Sequence, residues 1–248
     1  MILRSISKHV NHQNWFAVGL DLLIVVVGVF IGLQVQQWAD GQRQARMENF
    51  YTQRLHNEIV DLQATRAELV ELREGWAEAL STASSVLFNP TERELTEREC
   101  TSIAFSYIVS NPTDDLASLF EVQSSGQFAL FSNPQISSAL GAFLLTRARV
   151  RDAHSAVERV LINLTSRYPE LIQLLSPSDY SADPWIRPSY RCDTEGMRMS
   201  QGFLNDYELN QSGYTFHVNN NARVDDSLVE LKQVLEAVLG PATRRSSP

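Results

Sequence analysis

Apolar residues run unbroken from Leu22 to Leu33, and extending the run back to Trp15 admits one charged side chain, Asp21. The stretch is roughly 19 residues long, close to the ~20 that a helix needs to cross the hydrocarbon of a bilayer. Trp15 and Trp38 bracket it, roughly 35 Å apart along a helix axis, a separation that suits aromatic anchors at two membrane interfaces. Beyond Trp38 the pattern changes from apolar all round to amphipathic. Met47, Tyr51, Leu55, Ile59, Leu62, Leu69, Trp76, Ala79, Ala83 and Val86 recur at helical spacing. No proline intervenes before Pro90, so the pattern predicts one helix from about Ala39 to Leu87, continuous with the apolar span.

Shorter elements follow. Thr96 and Glu99 have the spacing of a capping box and open a helix through Ile103, Tyr107 and Ile108, which Asn111-Pro112 ends. Leu116 to Phe131 reads as two helical pieces separated by Ser124-Ser125-Gly126. Asn133-Pro134 is an N-cap with proline at the first helical position. The helix it starts carries Ile136, Leu140, Phe143, Val150, Val157, Leu161, Leu164 and Tyr168, up to Pro169. Ser176 to Glu195 holds Pro177, Pro184 and Pro188 and reads as an irregular crossing segment. Tyr207, Tyr214, Asn221, Leu228 and Leu235 then mark a last helix at seven-residue steps, with Leu231 and Val238 between them and Gly240-Pro241 as its stop. Three long helices and a broken connector cannot bury their stripes singly. The expectation is an all-α fold in which an N-terminal transmembrane helix continues into an antiparallel bundle of long helices. The implied organisation is a short flank at 1–14, the membrane helix at 15–38, a helical extracytoplasmic domain at 39–241 and a tail at 242–248.

Two readings of the apolar run compete. As a cleaved signal peptide, Leu22–Leu33 would be its hydrophobic region, yet Gln34-Val35-Gln36-Gln37-Trp38-Ala39 offers no small-x-small cleavage site, which favours an uncleaved anchor. Arg4 and Lys8 precede the run and Arg43 and Arg46 follow it, so local charge leaves orientation open. Cys100 and Cys192 fit a single bridge in an oxidising compartment, which would put the domain outside the cytoplasm. Two unrelated thiols are the alternative. Asp21, Val25, Gly28 and Gly32 share one helix face, and Gly28 and Gly32 form a G-x-x-x-G that lets two backbones approach. A carboxylate inside the membrane needs a partner, water or the interface. Packing on this face against another membrane helix, or a second copy, is one reading; Asp21 snorkelling beside incidental glycines is the other.

Composition narrows the function classes. The chain has 248 residues, 44% hydrophobic and 20% charged, with a formal net charge of −8. That balance argues against nucleic acid, whose phosphates need a basic face, and against lying flat on anionic lipid. No G-x-S-x-G elbow, phosphate-cradling glycine loop or H-E-x-x-H occurs. His9 and His12 have no cysteine or carboxylate at ligand spacing, and no Glu-x-x-His accompanies His56, His154 or His217, which read as surface or boundary residues. Asp114-Asp115 reads as local capping and Asp225-Asp226 as a solvated face. Asn210, Gln211, Asn219, Asn220 and Asn221 interrupt the last apolar seam, with Tyr214 and Phe216 among them. Such amides can fix register, line a polar pocket, or mark a locally solvated stretch.

The run from Asp21 through Leu33-Gln34-Val35-Gln36-Gln37-Trp38 resembles the N-terminal signature of a bacterial family of uncharacterised single-pass membrane proteins. In that family an acidic residue, more often Glu than Asp, precedes the apolar run, and the two amides before the tryptophan are usually asparagines. Ser124-Ser125-Gly126 with Leu130, Asn133, Ile136 and Leu140 is similar to its second block. The resemblance covers about a third of the chain. It implies an N-terminal anchor and a helical domain outside the cytoplasm, with no known activity. The expected role is a non-catalytic interaction or scaffold protein without cofactor or metal, in contact with lipid and with another envelope protein or itself. A ligand-sensing bundle that signals through a partner is the second reading.

Overall fold

The computed structural model describes residues 15–89, 93–111, 113–126, 128–176 and 188–240. The N-terminal flank with Arg4, Lys8, His9 and His12 lies outside these residues, as do Pro90, Pro112, Pro177, Pro184, Pro241 and the 242–248 tail. The chain falls into two units, Met1–Phe50 and Tyr51–Pro248. A single helix, α1, spans Trp15–Phe88, and in the first unit all its side chains from 19 to 46 are exposed.

In the second unit the hydrogen bonds fix the topology. The elements after α1 are α2 (Glu97–Phe105), α3 (Ala117–Ser124), a 3-10 turn (Phe128–Leu130), α4 (Pro134–Glu158), α5 (Leu164–Arg167), β1 (Ile172–Ser176), β2 (Ser189–Cys192), α6 (Thr194–Met199) and α7 (Gln201–Leu239). Moving up α1, His56 meets Glu236, Arg66 meets Asp225, and the Leu80 carbonyl accepts from the Tyr207 hydroxyl, so α7 runs antiparallel to α1. The α2–α3 segment also returns along α1. Arg98 donates to Gly75 O, Arg73 to Ser110 Oγ, and Glu58 accepts from the Ser118 backbone. His154 of α4 lies beside His217 of α7, and Val157 beside Gly213, so this pair is antiparallel as well. The four columns therefore alternate in direction, with the second column broken between α2 and α3. The all-α bundle expected from the periodicity is the fold observed.

Local signals behave as their chemistry requires. Thr96 and Glu99 form the reciprocal capping box of α2, and Arg93 with the Thr96 backbone holds the buried Glu99 carboxyl down to about 2. Asn133 caps α4 ahead of Pro134. Gly240 ends α7 at φ 73°, a backbone angle that only glycine adopts without strain.

Two expectations need correction. The α4 helix stops at Glu158 rather than continuing to Tyr168, because the Val160 and Leu161 amides both turn back to the Val157 carbonyl. Asn163 then caps the separate α5 through its side-chain oxygen. The Ser176–Glu195 stretch is not irregular throughout: β2 pairs antiparallel with β1 in a two-stranded hairpin, Ile172 opposite Cys192. Strands of four and five residues are too short for their alternation to stand out.

Cys100 of α2 and Cys192 of β2 are joined by a disulfide, with Cα atoms 5.7 Å apart at a sequence separation of 92. It ties the hairpin to the bundle, where Cys100 is buried.

Candidate functional site

The apolar core is divided in two along the bundle. One cluster holds Leu55, Ile59 and Leu62 of α1, Phe143 and Val150 of α4, and Val224 to Leu235 of α7. The other holds Leu80, Ala83 and Leu87 of α1, Ile103 and Val109 from the second column, and Phe203 to Tyr214 of α7. Between them every column turns polar at the same level. Helix α1 contributes Arg66 and Arg73, the second column Ser110, Asn111 and Asp114, α4 Arg151 and His154, and α7 His217, Asn220 and Asn221.

Most of this layer neutralises itself. Arg66 is 1% exposed; its Nε donates to Asp225 Oδ1 at 2.5 Å and its Nη1 to the Thr113 carbonyl at 2.9 Å. Asp114, also buried, accepts ion pairs from Arg147 and Arg151, so the Asp114-Asp115 pair holds α4 rather than capping a helix. Asp225 is half-buried and pairs with Arg66, while Asp226 lies on the exposed face expected for the pair. The buried Asn221 amide donates to Asn111 Oδ1 and to its own helix at His217 O. Asn210 grips the turn after α4, accepting from Ile162 N and donating to Ile162 O. These amides are buried register-setting groups and not a solvated stretch, although Asn219 is exposed.

His217 is 2% exposed, contrary to the surface or boundary position expected for it. Its Nδ1 lies 3.4 Å from Nδ1 of His154. Burial, followed by the neighbouring His154 and Arg73, pushes the His217 imidazole down to about 4. The folded state thus favours the neutral ring, whereas the unfolded chain protonates near the ordinary 6.5. The associated stability is complete above about pH 6.5 and is lost as the pH falls towards 4, up to about 3 kcal/mol. Thermal midpoints of wild type should decline across that window, and those of His217→Gln should decline less; parallel curves for the two proteins would contradict the assignment.

Arg73 differs from the other arginines of the layer. Its Nη2 donates to Ser110 Oγ at 2.9 Å, and no carboxylate among the described residues forms an ion pair with it. Its Nη1 is buried and has no hydrogen-bond partner among the described residues. Burial lowers its pKa, which marks a guanidinium stripped of water without full compensation. Arg73 lines a cleft of about 270 Å³ between α1, the second column and α7. Leu69, Leu72, Trp76, Phe105 and Ile108 form its apolar walls, and Ser110, Asn111, Thr113 and Tyr214 its polar side. The Trp76 and Phe105 rings meet edge to face, with centroids 5.7 Å apart.

Chemically this arrangement can bind charge and hold polar groups in place. Among the described residues no group of three or more His, Cys, Asp or Glu is placed to hold a metal ion. Sequence reasoning missed Arg66 and Arg73, yet a signal was present. Positions 59, 62, 66, 69, 73, 76 and 80 continue one three-and-four spacing, so both arginines occupy seam positions of an apolar stripe.

The residues of the apolar run are placed separately, in the first unit. Asp21, Val25, Gly28 and Gly32 are exposed on α1, and a Cβ added at either glycine would meet nothing within 4 Å. Trp38 is exposed, and Trp15 lies in the helix with its side chain outside the described residues. Among the described residues one helix is long and apolar enough to cross a membrane, and none of its apolar window is buried. No family model matches the chain, and no curated protein or solved structure does either.

Proposed function

We propose that this chain is a single-pass membrane protein whose helical unit works outside the cytoplasm as an interaction module. The observation that carries the reading is the fully exposed apolar run on α1. Leu22, Phe30 and Leu33 are each more than half exposed, an arrangement costly in water at about 25 cal/mol per Å² and costless in lipid. The Cys100–Cys192 bridge supports an oxidising compartment for the rest of the chain. The resemblance of the Asp21–Trp38 signature to single-pass envelope proteins points the same way.

Gly28 and Gly32, with Asp21 and Val25 on the same face, give the partner a place to dock, either a helix of another envelope protein or a second copy of this one. Single cysteines introduced at Gly28 and Gly32 in membranes are expected to crosslink to one stoichiometric partner. Equivalent cysteines on the opposite face, at Val26 and Phe30, should crosslink far less. Equal or absent crosslinking at the two faces would remove the docking role, and release of the protein by alkaline wash without detergent would remove the anchor itself.

A further inference from the structure

We infer that the Arg73 cleft is a binding site for a small monocarboxylate with an aromatic or branched apolar body. The inference concerns the second unit alone and stands whether or not the chain is anchored. Three observations select this chemistry.

First, the cleft offers one cation without a carboxylate partner among the described residues. Arg66, Arg147 and Arg151 at the same level each have one. A buried guanidinium donor without an acceptor costs about 1–3 kcal/mol or more, and a carboxylate is the anion whose two oxygens match its planar fork. Second, the charge around the cleft favours a single negative charge. Glu68 and Glu71 outnumber Arg98 in the adjoining groove, which shares Leu69, Leu72 and Trp76 with the cleft. They would repel a phosphate dianion more strongly than a monocarboxylate. Third, size and wall chemistry bound the rest of the molecule. About 270 Å³ falls just below the ~300–1,000 Å³ of drug-sized sites, so the occupant is amino-acid-sized or smaller. The Trp76 and Phe105 rings with Leu69, Leu72 and Ile108 accept an apolar group, which aromatic edges hold well. Ser110 and Asn111 line the cleft with Arg73 and carry a hydroxyl and a side-chain amide N–H that can donate to the carboxylate.

The test uses the full-length chain in detergent and titrates 3-phenylpropionate by calorimetry, with 3-phenylpropionamide as its neutral counterpart and phenyl phosphate as the dianion. The acid should bind saturably at 1:1, at least tenfold tighter than the amide and the phosphate. Arg73→Met should weaken it at least tenfold. Ile108→Glu, a change at an exposed position on the mouth of the cleft, should also weaken the acid while leaving the thermal midpoint near that of wild type. The second variant keeps the test decisive if the first fails to fold. Absence of saturable binding up to 10 mM, equal affinity for acid and amide, or an acid affinity indifferent to Ile108→Glu would overturn the site. Tighter binding of the phosphate would overturn the carboxylate assignment.

Discussion

Replacing both Cys100 and Cys192 with alanine is expected to lower the stability of the helical unit by about 4–5 kcal/mol. The bridge closes a loop of 92 residues, and in the chain-entropy account such a constraint removes that much freedom from the unfolded ensemble. The hairpin explains why so little else would compensate. β1 and β2 pair only with one another among the described strands, and a two-stranded hairpin is marginal by itself. Its attachment to the bundle runs through the Cys100–Cys192 bond and the apolar contacts of Ile172 and Tyr190 with the core. For a domain of this size the loss corresponds to a melting midpoint lower by roughly 10–15 °C. Circular dichroism melts of the detergent-solubilised variant, and of wild type with and without reductant, measure it. A midpoint within 3 °C of wild type in both comparisons would show that the bridge does not support the fold.

Arg66→Ala is expected to cost about 3–5 kcal/mol, because removing one member of a buried ion pair strands the other. The guanidinium satisfies two columns at once, Asp225 of α7 through Nε and the Thr113 carbonyl of the second column through Nη1. Arg66→Lys should recover little, since an ammonium cannot present donors along two edges of a rigid plane. Asp225→Asn should cost less, because the amide oxygen can still accept from Arg66 Nε and only the charge of the acceptor is lost. Urea unfolding of the two single variants and the double variant gives the coupling. A cost below 1 kcal/mol for Arg66→Ala would mean that the polar layer does not hold these columns together.

The polar layer has a consequence for specificity. Apolar seams alone allow helices to slide by a turn at modest cost, whereas a slipped register here would leave Arg66, Asp114, Asn210 and Asn221 buried without partners. Each such loss costs 1–3 kcal/mol or more. Two apolar clusters with a polar belt between them, paired across the columns through Arg66, Asp114 and Asn221, therefore favour one alignment of α1, α4 and α7.

Periodicity and capping chemistry were local enough to be read from the chain. The apolar run, the long amphipathic α1, the Thr96–Glu99 box, the Asn133-Pro134 start and the Gly240 stop each depend on residues within a turn or two of one another. An antiparallel bundle follows from them, because no other arrangement buries three such stripes. What the amino-acid order could not decide was which polar residues meet. Arg66 and Asp225 stand 159 positions apart, His154 and His217 are 63 apart, and Arg73 is distinguished only by a partner it lacks among the described residues. Those relations depend on how the columns are aligned, and alignment is fixed by long-range packing and hydrogen bonding rather than by any local pattern. The cleft at Arg73 is a product of that alignment, formed where three columns meet and bring apolar walls and polar groups together.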